Sequence, residues 1–90
     1  MKNYHAIEIS YVAPSNKFDG RVRFYSLRFQ QRKYLDRNEC NLVDQAVKQL
    51  QSWGYKVVGT AETPKGWIIL SETFITFPRK GLTRHILNQG

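Results

Sequence analysis

The residues best equipped for chemistry lie in GRVRFYSLRFQQRKYLDR, residues 20–37. Arg21, Arg23, Arg28, Arg32, Lys33 and Arg37 are opposed there only by Asp36, and Phe24, Tyr25, Phe29 and Tyr34 are threaded between them. Guanidinium and ammonium groups neutralise phosphates, and a tyrosine ring offers a stacking face to any unpaired base. On that chemistry Arg21, Arg23, Tyr25, Arg28, Arg32 and Lys33 are candidate nucleic-acid-binding residues. Arg79, Lys80 and Arg84 of the basic tail extend the set. A structural reading competes. Strand alternation alone interleaves basic and aromatic residues, and long cations keep an edge hairpin from pairing with other sheets.

Catalytic chemistry has no comparable concentration, so an enzyme is not expected. Glu8, Asp19, Asp36, Glu39, Asp44, Glu62 and Glu72 are scattered, without a spacing that argues for paired acid–base work. His5 falls on the inward parity of the first strand, where a buried, hydrogen-bonded imidazole is the ordinary outcome. Cys40 is the only cysteine and reads as part of a first helical turn. It can form neither an intramolecular disulfide nor a cysteine-based zinc site. Phosphate-binding loops, dinucleotide fingerprints, HExxH and GxSxG are absent from the chain. Neither a catalytic group, a metal nor a cofactor is therefore expected.

Ninety residues make one domain with a single modest core. The formal charge of +7 favours polyanionic partners. Nine of the fourteen basic residues fall in 20–37 and 78–90. The N-terminus lacks an apolar run of signal-peptide length, and no stretch reaches the ~20 apolar residues that span a bilayer. With one cysteine, this predicts a cytoplasmic protein with no membrane partner.

Elements must position these residues. YHAIEISYV (4–12) alternates, with His5, Ile7, Ile9 and Tyr11 on one side and Ala6, Glu8 and Ser10 on the other. APSNKFDG (13–20) reads as a hairpin loop. RVRFYSLRF (21–29) reads as a second strand whose phase slips once; a bulge near Tyr25–Ser26 would turn both Val22/Phe24 and Leu27/Phe29 inward. Leu42, Val43, Ala46, Val47, Leu50 and Trp53 mark the apolar face of a helix, with Gln45, Lys48, Gln49 and Gln51 on its solvated face. Asp36 with Glu39, or Asn38, suits its start, and Gly54 its end. YKVVGTAE (55–62) and WIILSETFITF (67–77) read as strands joined by TPKG.

The predicted fold class is α+β with order ββαββ: a mainly antiparallel four-stranded sheet with one helix on one face. Residues 1–77 form the domain, and 78–90 form a basic tail with a short helix near Leu82–Asn88. Strands three and four carry apolar residues of both parities, so the second sheet face needs a cover. The tail, a second copy of the chain or a host protein would serve, with Trp67 and Ile69 as candidate protein-interface residues.

YVAPSNKFDGRV (11–22), SLRF (26–29), GYKVVGTAET (54–63) and GWIILSETF (66–74) together resemble small open reading frames carried by bacteriophages, plasmids and other mobile elements. The likeness covers most of residues 4–74, with a slightly longer loop here. It implies a bacterial, accessory setting linked to host takeover or defence evasion, and it transfers no activity and no functional residue. The leading expectation is a small non-enzymatic binding protein that contacts nucleic-acid phosphates through a basic sheet face. The rival is a protein–protein module, an accessory regulator, an inhibitor or a homodimer, that uses the second apolar face.

Overall fold

The computed structural model describes residues 3–16 and 20–78. Its elements are β1 (His5–Val12), β2 (Arg21–Ser26), β3 (Gln31–Asp36), α1 (Leu42–Ser52), β4 (Val57–Thr63) and β5 (Gly66–Ser71). All strand pairings are antiparallel, and they build one sheet in the order β3-β2-β1-β5-β4 with α1 against one face. The class is α+β, as expected, but the strands number five rather than four.

The extra strand corrects the reading of residues 21–36. The phase slip at Tyr25–Ser26 is a chain reversal and not a bulge. Leu27–Gln30 form a turn, with Gln30 at φ 53°, and the chain returns as β3. Leu27 and Phe29 consequently stay exposed instead of entering the core. A four-residue reversal and a one-residue bulge both break the alternation, so the pattern alone does not separate them. β3 is also an edge strand, and of its half-buried positions Gln31, Lys33 and Leu35 only the last is apolar, so the alternation is faint.

The helix packs through Leu42, Ala46 and Leu50, spaced four apart in one stripe. They close over Ile7, Ile9, Val22, Phe24 and Ile69 of the sheet. The Asn41 side chain caps α1 by accepting from the Asp44 N–H at 3.1 Å. The cap therefore lies beyond Asp36, Asn38 and Glu39, and exposed Cys40 precedes the helix instead of sitting in its first turn. Gln45 is buried, not solvated. Its Nε2 donates to the Asp36 carbonyl at 2.8 Å, and its Oε1 accepts from the N–H of Asn38 at 3.0 Å and of Glu39 at 3.3 Å. At the far end Gly54 takes φ 96°, which lets Tyr55 N–H reach the Leu50 carbonyl and Gly54 N–H the Gln51 carbonyl, both at 3.0 Å.

Residues 72–78 do not prolong β5 as the run WIILSETFITF suggests. They cross the helix side of the sheet as an irregular strap. Tyr55 Oη donates to the Ile75 carbonyl at 2.5 Å, and Phe77 is buried between Phe24, Trp53 and Tyr55. Strap and helix together cover one face. The opposite face is left without a covering element by the described residues; the expected tail helix, with Arg79, Lys80 and Arg84, lies outside them.

Candidate functional site

The uncovered face is built from strand register. β2 and β3 pair Arg21 with Asp36, Arg23 with Tyr34 and Tyr25 with Arg32. These residues alternate with Val22 and Phe24, which point beneath the helix, so all of them project to the other side. β1 adds Ala6, Glu8 and Ser10, and β5 adds Ile68 and Leu70. One half of the face is thus cationic and aromatic, and the other is apolar.

Cations and rings interlock on the first half. The Arg21 guanidinium lies 4.8 Å from the Tyr34 centroid, and those of Arg23 and Arg32 each lie 5.2 Å from the Tyr25 centroid. Each such contact contributes about 0.5–1 kcal/mol at an exposed site. The larger consequence is geometric. A guanidinium resting on a ring keeps its planar donors together for a phosphate, and its free face can stack on a base.

Of the sequence-predicted residues, Arg21, Arg23, Tyr25 and Arg32 come together here, joined by Tyr34. Two others do not. Lys33 lies opposite Phe24 on the helix side, half-buried, with Nζ donating to the Pro78 carbonyl at 3.0 Å. Arg28 sits in the β2–β3 turn, 5.1 Å from the Phe74 ring. Reading 21–29 as one bulged strand put Arg28 on the wrong element, and the alternation of β3 sends Lys33 to the side opposite Arg32. The interface candidates also move: Trp67 and Ile69 pair with Ile9 and Ile7 and so share the helix side. Ile69 is 0% exposed and cannot meet a partner, while Trp67 is half-buried against the core. The large aliphatic residues of the open face are Ile68 and Leu70.

Glu8 and Ser10 went unselected by the sequence reading, although their parity placed them opposite the core. With Arg23 and the β4–β5 turn, Thr63–Trp67, they line a cleft of about 320 Å³. Gly66 makes that cleft possible. A Cβ there would collide with the Ile9 carbonyl oxygen, so only glycine lets the turn close against β1.

A second polar arrangement looks chemical and is enclosed. Ser26 Oγ lies 2.7 Å from His5 Nε2, and His5 Nδ1 donates to the Thr73 carbonyl at 3.0 Å, so Nε2 accepts the Ser26 hydroxyl hydrogen. Both residues are 0% exposed, and Phe29, Tyr55 and Phe74 surround the ring. Burial pushes the imidazole below its ordinary pKa; the Thr73 carbonyl opposes this and the Arg28 charge adds to it. The pair pins the start of β1 to the end of β2 with no route for a substrate.

Among the described residues no group of three or more His, Cys, Asp or Glu could hold a metal ion, and no helix is long and apolar enough to cross a membrane. No family model, no curated protein and no solved structure matches the chain.

Proposed function

We propose that the protein is a small non-enzymatic binding protein that holds single-stranded nucleic acid across its open sheet face. One observation carries the reading: Arg21, Arg23 and Arg32 interlock with Tyr25 and Tyr34 on the face that no helix of the described residues covers. Arginines supply the phosphate contacts, and flat groups supply stacking that any base satisfies. The shallow, open face suits extended, unpaired strands, whose bases are free to stack. A cytoplasmic location and a mobile-element setting belong to the same proposal. The lone cysteine suits a reducing compartment, and the resemblance of residues 4–74 supplies the setting.

Fluorescence anisotropy with labelled single- and double-stranded oligonucleotides, at low and physiological salt, tests it. Single strands should bind more tightly, with a log–log salt slope corresponding to on the order of four released counterions or more. Binding confined to low salt would sink the reading and leave the arginines as solubilising groups.

The second reading rests on Ile68 and Leu70, half-buried apolar side chains beside Ala6 and Ala61 on the same face. A protein partner or second copy would cover them. Sedimentation of the native chain and of an Ile68→Asp, Leu70→Asp variant separates the two: a dimer lost in the variant favours the protein interface.

A further inference from the structure

Glu8 is out of place on a surface that binds polyanions. It is a half-buried residue whose register partners are Tyr25 of β2 and Ile68 of β5, and its side chain makes no hydrogen bond or ion pair among the described residues. Facing phosphates, such a charge weakens binding unless a ligand brings hydrogen-bond donors to it. Its surroundings are specific. Ser10 and Arg23, paired across β1 and β2, carry hydrogen-bond donors and line the same cleft as Glu8, as does Lys65 of the β4–β5 turn. The site therefore reads acceptor, then donor.

Among the four bases only guanine presents the complement. Its Watson–Crick edge carries two adjacent donors, N2–H and N1–H, followed by the O6 acceptor. A carboxylate takes both donors at once, while a serine hydroxyl or guanidinium serves O6. Adenine and cytosine offer one amino donor beside a ring-nitrogen acceptor that a carboxylate repels. Uracil and thymine offer one N–H between two carbonyls. Unpaired strands expose these edges, and protein groups read them there.

We propose that the Glu8–Ser10–Arg23 cleft is a guanine-selective subsite on the strand-binding face, with Glu8 reading N1–H and N2–H. This rests on the nucleic-acid reading and adds base preference to it. Lys65 meets the neighbouring phosphate, and Gly66 lets the turn that borders the cleft sit against β1.

The test uses labelled single-stranded oligothymidylates with one central dG, dA, dC or dI, against the full chain and Glu8→Gln. Hypoxanthine in dI lacks only the N2 amino group. The native protein should bind dG about 10-fold more tightly than dA or dC, with dI falling back toward them. Glu8→Gln is isosteric; it should level the series while affinity for plain oligothymidylate holds or rises. Equal binding of all four probes by the native protein overturns the subsite, as does a dG preference that survives Glu8→Gln. Failure of every oligonucleotide to bind overturns the strand-binding reading. Guanosine monophosphate is titrated in parallel: Glu8-dependent binding of it without oligonucleotide binding assigns the cleft to a free guanine nucleotide instead.

Discussion

Gln31 and Phe77 exchange two hydrogen bonds across the edge of the sheet. The Phe77 N–H donates to Gln31 Oε1 at 2.6 Å, and Gln31 Nε2 donates to the Phe77 carbonyl at 3.3 Å. A side-chain amide thus does for the strap what a neighbouring strand does for β3. The strap is thereby held on the helix side, with the Phe77 ring in the core, and the described residues leave the opposite face uncovered.

Gln31→Leu should accordingly destabilise the fold by about 1–3 kcal/mol, because it leaves backbone groups of a core residue without partners. Urea unfolding measures this. Hydrogen exchange on the native state should locate the loss at the Phe77 amide rather than in β1 or β5.

Removing the interlocked cations tests the site directly. Arg21→Gln, Arg23→Gln and Arg32→Gln together should weaken oligonucleotide binding and lower the salt slope by about 2, the value for three lost phosphate contacts on a single strand. Arg28→Gln with Lys33→Gln, which removes two charges that lie off the face, should change the slope far less. Similar losses in both variants would mean that net charge rather than placement governs binding.

His5 predicts an acid-side loss of stability. Its folded pKa lies below its unfolded value, so the unfolded chain takes up the proton first as pH falls. The full contribution is present above the unfolded value near 6.5 and is lost as pH falls toward the folded pKa. The slope for this group cannot exceed about 1.4 kcal/mol per pH unit. Thermal melts from pH 7.5 to 5 should show the native chain losing stability faster than a His5→Gln variant.

The two faces of β5 should respond differently to the same truncation. Ile69→Ala removes a fully buried side chain and should cost about 2–5 kcal/mol. Ile68→Ala acts on a half-buried residue of the open face and should cost much less in stability. Comparable urea midpoints for the two variants would contradict the register that pairs Ile69 with Ile7.

Local patterns carried much of this molecule. The stripe Leu42, Ala46 and Leu50 specifies α1, Gly54 supplies its left-handed stop, and TPKG closes the β4–β5 hairpin. Alternation in β1 separates Ile7 and Ile9 from Glu8 and Ser10, and the clustering of arginine with tyrosine in 20–37 is plain in the chain. These features depend on neighbours a few residues apart, so periodicity and turn chemistry expose them.

Tertiary structure decided which of those residues share a face. Side chains in a strand alternate, so misplacing one reversal moves a whole segment to the other side. That is why Lys33 left the site while Arg32 stayed; in β5 it is the pairing with β1 that turns Ile69 inward beside Ile7 and Ile68 and Leu70 outward. The strap is a similar case. Phe74, Ile75 and Phe77 look like strand, but Tyr55 and Gln31, distant in sequence, take the hydrogen bonds that a strand partner would have taken. Whether a segment pairs, turns or crosses depends on the groups waiting for it, and only the folded chain brings those groups together.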